Sequence, residues 1–61
     1  MQLITYLEEN KISQRSFAKM IGVQPLAVNR YIKGKRTPKP EILLRIEHAT
    51  EGKVTIRDFA A

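Results

Sequence analysis

The run Gln14-Arg15-Ser16-Phe17-Ala18-Lys19-Met20-Ile21-Gly22-Val23-Gln24-Pro25-Leu26-Ala27-Val28-Asn29-Arg30-Tyr31 carries most of the structural information in this chain. Ser13, just before it, is a good helix N-cap, with Gln14 in the first turn. Phe17, Ala18 and Ile21 then fall on one helical face. Gly22 stands where a left-handed residue ends a helix at little cost. Val23-Gln24 leads into Pro25, and proline is favoured at the first helical position, where its missing N–H is no loss. A small side chain at Ala18 lets two helices cross closely, Gly22 makes the turn between them, and Val23 fills the corner beneath. The spacing predicts two short helices at a steep angle, the second running from Pro25 to about Lys33 and stopping at Gly34.

Working outward, Leu3 and Leu7, with Ile4 beside them, share a face of an N-terminal helix. Asn10-Lys11 makes a polar break after it. Lys35 to Lys39 form a basic connection, and Pro40 opens a fourth helix whose core face is Ile42, Leu43 and Ile46, ending between Ala49 and Gly52. Thr55-Ile56-Arg57-Asp58 has the spacing of a capping box with the shorter acid, which predicts a last helical turn. The competing pattern is a strand, with Val54, Ile56 and Asp58 alternating against Thr55, Arg57 and Phe59. The turn is preferred because a lone strand has no partner. No repeat, low-complexity segment or long linker interrupts the chain. The expectation is one all-α domain over residues 1–61, compact and of four to five helices.

Sixty-one residues without cysteine or tryptophan bury only about 60% of their unfolded surface, so the core is marginal. With no disulfide or cysteine-metal staple, helix packing or self-association must supply the stability. Lack of cysteine suits a reducing compartment such as a bacterial cytoplasm. The longest apolar stretch, Pro25 to Val28, is far below the roughly 18 residues of a membrane span. Glu8 and Glu9 near the start do not fit a signal peptide. The size leaves little room for an enclosed catalytic pocket, so neither an enzyme nor a cofactor or small-molecule substrate is expected.

The net charge of +5 is local. Residues 1–23 carry +1 and residues 40–61 carry −1, whereas residues 24–39 hold Arg30, Lys33, Lys35, Arg36 and Lys39 with no acid. Such a cluster is either a solvated basic loop or an electrostatic footprint for a polyanion. The helix from Pro25 helps to choose. At about 100° per residue, Asn29, Arg30 and Lys33 fall within about 60° of Leu26, while Val28, Tyr31 and Ile32 gather opposite. One face is apolar and can pack on Phe17 and Ile21. The other presents an amide, a guanidinium, an ammonium and one aliphatic group.

Those groups match the edges of a DNA major groove. Asn29 can pair bidentately with adenine, Arg30 with guanine N7 and O6, and Leu26 can meet a thymine methyl. Gln24, just before the helix, can add an amide contact. The alternatives are a solvated amide for Asn29 and a phosphate contact for Arg30. Lys33, Lys35, Arg36, Thr37 and Lys39 lie beyond the helix and can follow the phosphate backbone.

The spacing of residues 14–33 is that of a helix-turn-helix. The string Ser13-Gln14, Ala18, Gly22-Val23, Gly34-Lys35-Arg36, Pro38 resembles the lambda-repressor/Cro-like family of phage and bacterial regulators, from Leu3 to Phe59. The end, Gly52-Lys53-Val54-Thr55 through Asp58-Phe59, looks like the tail of small phage Cro-type repressors. The resemblance implies a lambda-repressor-like fold and a transcriptional repressor that occupies an operator in double-stranded DNA. It also places Gln14 over the phosphate backbone, at a helix terminus that itself attracts anions. One such helix reads too few base pairs for specificity, so two copies on a palindromic site are expected, as a weak homodimer on DNA contacting through Phe59, Val54 and the fourth helix.

Other readings are weaker. His48 is the only histidine, with Glu47 about 100° away around a helix, so no metal site is expected. Ser13 and Ser16 have no histidine at a meaningful spacing. Tyr6 reads as core or as a dimer contact, and Met20 as packing or surface. An antitoxin or accessory factor would use the same fold to clamp an acidic protein partner. A basic membrane binder would need a continuous exposed apolar face, which the third helix lacks.

Overall fold

Apolar positions recurring at helical spacing give four short helices, and the computed structural model describes residues 1–59. They are α1 (Leu3–Glu9), α2 (Gln14–Ile21), α3 (Pro25–Ile32) and α4 (Pro40–Ala49), followed by a 3-10 turn at Ile56–Asp58. No strand occurs among the described residues. Ser13 caps α2 by accepting the Ser16 N–H at 3.0 Å, a contact of a kind that contributes about 1 kcal/mol. Pro25 and Pro40 each stand in the first turn of their helices.

All four helices end in the same way. A left-handed residue follows the last turn of each, at the C-cap itself in α2 and one residue beyond it in the others, and the next amide reaches back across the last turn: Ile12 to the Leu7 carbonyl, Val23 to Ala18, Lys35 to Arg30 and Gly52 to Glu47. This is the Schellman arrangement. Gly22 and Gly34 fill the left-handed position after α2 and α3. After α1 and α4 it falls to Lys11 (φ 55°) and Glu51 (φ 54°), where a side chain costs about 1–2 kcal/mol.

α2 packs against both α3 and α4. The core between the helices holds Leu3, Tyr6 and Leu7 of α1, Phe17, Ala18 and Ile21 of α2, Val28 and Tyr31 of α3, and Ile46 of α4, joined by Val54. Each large side chain buried there contributes about 1.5–3 kcal/mol relative to exposure. Leu43 is also buried, whereas Ile42 is only half-buried. Ile4, expected beside Leu3 and Leu7, turns outward. Tyr6 belongs to the core, and its hydroxyl donates to the Ala49 carbonyl at 3.4 Å.

The segment after α4 is drawn inward by Thr50, the one buried polar residue among those described. Its hydroxyl donates to the Ile46 carbonyl at 2.8 Å and accepts the Val54 N–H at 3.1 Å. Val54 is thereby fully buried. That corrects its expected role in pairing two copies, because a side chain with no exposed surface offers a partner nothing. Phe59 is half-buried, edge-on to Tyr31 with ring centroids 6.4 Å apart. The capping box forms as expected: Thr55 N–H donates to Asp58 Oδ2 at 2.8 Å. Asp58 Oδ1 also receives the Met1 ammonium at 3.0 Å.

Candidate nucleic-acid interface

α3 is held by its apolar side, Val28 and Tyr31 being buried. The opposite side is therefore fixed outward. Leu26 is 59% exposed, and Arg30, Lys33 and Gln24 are exposed with it. A single exposed aliphatic side chain is ordinary on a protein surface, but here it stands among the amide, guanidinium and ammonium groups of the outward face of α3. Gln24 is the N-cap residue of α3, yet its side chain makes no capping bond. Its amide is left unengaged by the helix.

Asn29 differs from its neighbours on this face. It is half-buried, and its Nδ2 donates to Gln14 Oε1 at 3.3 Å across the α2–α3 junction. The bond uses one of the two amide hydrogens. The second hydrogen and Oδ1 stay available, which is the donor-acceptor pair that an adenine edge requires. Gln14 keeps its own amide hydrogens for an acceptor such as a phosphate oxygen.

The chain leaves α3 through Gly34 (φ 72°), with the Lys35 N–H on the Arg30 carbonyl at 2.9 Å. Pro38, buried, anchors the basic connection to the domain. The outcome is a groove of about 450 Å³ in which Arg36 and Lys39 lie beside Gln24, Leu26 and Arg30. Glu41 lines the same groove and is the one acid there. Thr37 sits round the corner with Arg36, in a hollow shared with Tyr31 and Phe59. Lys33 and Lys35 are exposed but line none of these hollows. Among the described residues the only ion pair is Met1 with Asp58, so the cations of residues 24–39 have no carboxylate partner there.

Three features were missed by sequence reasoning. Arg15 and Lys19, outside the basic run of residues 24–39, line a hollow beside Val23 and Pro25 at the start of α3. Their i, i+4 spacing on α2 was the available signal. Arg45 Nη1 donates to the Ile21 carbonyl at 3.3 Å and so closes the end of α2 from α4. Nothing in the spacing of one helix reveals that contact, nor the one between Asn29 and Gln14. The surroundings of Asp58 lower the pKa of its carboxyl. The Thr55 N–H holds its carboxyl below the ordinary 3.8, burial opposes this, and the Met1 ammonium adds to the lowering.

No helix among the described residues is long and apolar enough to cross a membrane. Searches of curated proteins and of solved structures gave no match. The helix-turn-helix family model matches residues 3–59, from the first residue of α1 to the residue that follows the 3-10 turn. The chain belongs to the lambda-repressor/Cro-like helix-turn-helix family of DNA-binding transcription regulators.

Proposed function

We propose that this chain is a sequence-specific repressor of the phage or prophage Cro type, which occupies a palindromic operator in double-stranded DNA and blocks polymerase. α3 enters the major groove. Gln24, Leu26, Asn29 and Arg30 meet base edges, and Gln14, Lys33, Lys35, Arg36, Thr37 and Lys39 hold phosphates. Two copies bind half-sites about one helical turn apart, roughly 34–36 Å. The observation that carries this reading is the outer face of α3: an open aliphatic group, an amide that keeps one N–H and its oxygen open beyond its bond to Gln14, and a guanidinium, flanked by cations without acidic partners among the described residues.

Each bidentate pair discriminates against the wrong base by about 1–3 kcal/mol. Fluorescence anisotropy on a bound duplex and its single-base variants tests the assignment. Asn29→Ala flattens the preference at one base pair by about 10-fold or more while leaving non-specific affinity intact. An unchanged preference at every position removes Asn29 from the base-reading set.

A further inference from the structure

We infer that Arg15 and Lys19 of α2 hold the phosphate strand on the far side of α3 from Arg36 and Lys39, so that the chain grips both walls of the major groove. The inference rests on the DNA reading proposed above and adds two contacts and a second strand to it. Arg15 and Lys19 are exposed and stand four residues apart, on one stripe of α2. With Ala18, Val23 and Pro25 they line a hollow of about 320 Å³ that has no acid in its walls. Val23, in the turn, borders both this hollow and the Arg36–Lys39 groove.

Folding does not account for the pair. The first turn of α2 contains Arg15 and no acid, at the end where the helix dipole disfavours a cation. Lys19, four residues on, sets a like charge beside it, which weakens the helix further. Neither cation has a carboxylate partner among the described residues. Two repelling charges thus stand together where the helix favours an acid, and an anion supplied from outside relieves both costs.

The position of the stripe selects the anion. Measured round α3 from Leu26 at about 100° per residue, Arg30 and Ala27 lie about 40° and 100° to one side, and Asn29 and Pro25 about 60° and 100° to the other. Arg30 and Ala27 border the Arg36–Lys39 groove. Pro25 borders the Arg15–Lys19 hollow, and Asn29 turns the same way, donating to Gln14 of α2. The two cation pairs therefore flank the outward face of α3 on opposite sides. A helix about 10–12 Å across fills a major groove about 12 Å wide, and a phosphate strand runs along each wall. An acidic protein surface on one side would leave one pair unmet, whereas duplex DNA meets both.

Salt titrations of the whole chain on a random-sequence duplex, read by fluorescence anisotropy, test the assignment. Arg15→Ala and Lys19→Ala are each expected to make the slope of log K against log salt shallower by about 0.9 per copy, and the double variant by about 1.8. Between about 50 and about 200 mM salt each single variant then loses about 3.5-fold less affinity than the unmodified chain. Arg15→Glu is expected to raise the thermal midpoint at low salt, through the helix dipole and a pairing with Lys19, while it weakens duplex binding at the same salt. A residue that served only the scaffold would not move stability and binding in opposite directions. Slopes of Arg15→Ala and Lys19→Ala equal to that of the unmodified chain, or a midpoint that falls in Arg15→Glu, overturn the proposal. Single neutral methylphosphonates along each strand of a bound duplex locate the contacts. Within one half-site, the positions whose effect vanishes in Arg15→Ala are expected across the major groove from those whose effect vanishes in Arg36→Ala; a shared strand overturns the proposal. Lys35→Ala keeps the two claims apart. If it flattens the slope and Arg15→Ala does not, the second strand is discarded and the DNA reading stands; a chain without duplex affinity ends both.

Discussion

Replacing Lys35 by alanine should make binding to every duplex less sensitive to salt, by an amount set by the charge count of the site. Lys33, Lys35, Arg36 and Lys39 are exposed and, among the described residues, unpaired. Each phosphate neutralised by such a cation contributes about 0.9 to the slope of log K against log salt. Four contacts give a slope of about −3.6 per copy, or about 150-fold lost affinity between about 50 and about 200 mM salt. With three contacts the slope is about −2.7 and the loss about 40-fold. Lys35→Ala and Arg36→Ala should each show the shallower slope in anisotropy titrations, equally on specific and random duplexes. Arg30→Ala should leave the slope nearly unchanged and alter sequence preference instead, because its guanidinium is assigned to a base. Lys53→Ala, in the turn after α4, removes the same charge outside these hollows and should change neither. If the slopes of Lys35→Ala and Arg36→Ala match that of the unmodified chain, the basic connection is only a solvated loop.

The Gln14–Asn29 hydrogen bond makes the two residues one unit, so a double-alanine cycle on duplex binding should show coupling of about 0.5–1.5 kcal/mol; strict additivity would mean that the bond does not position Asn29. In urea denaturation, Gly22→Ala should cost more than Gly34→Ala. Both force an alanine to positive φ, about 1–2 kcal/mol, but at Gly22 the new Cβ stands 3.0 Å from Arg45 Nη1, whereas at Gly34 it meets nothing within 4 Å. The guanidinium swings aside cheaply and gives up its bond to the Ile21 carbonyl, adding about 0.5–1 kcal/mol; equal losses would refute this role of Arg45. Asp58→Asn should lower stability at neutral pH by about 1 kcal/mol through the weakened cap. Because the folded-state carboxyl titrates below its ordinary 3.8, the difference is fully present above that value and shrinks as the pH falls through the folded-state range. A difference that persists at lower pH would contradict the capping account.

Much of the fold is legible because local chemistry and tertiary packing agree at the same residues. Ser13 caps, Gly22 and Gly34 turn left-handed, Pro25 and Pro40 start helices, and Thr55 with Asp58 forms its box. Lys11 and Glu51 were not legible as left-handed residues, since neither is a glycine; the back-bonds from Ile12 and Gly52 hold them there. Val54 misled for a related reason. Its hydropathy fits an interface or a core equally well, and only the hydroxyl of Thr50, reaching four residues on, brings it inside. In the candidate site, helical periodicity correctly separated the two faces of α3. It could not show that Arg36 and Lys39 return to the groove beside Arg30, because that depends on Gly34 and on a proline buried at position 38.

The most direct test of the central claim is selection from a pool of random duplexes with the whole chain, followed by sequencing of what is retained. The account predicts enrichment of a two-fold symmetric motif with half-sites centred about 10 base pairs apart, containing positions whose preference disappears with Asn29→Ala or Arg30→Ala. Recovery of duplexes without any shared motif, at an affinity set by salt alone, would contradict it.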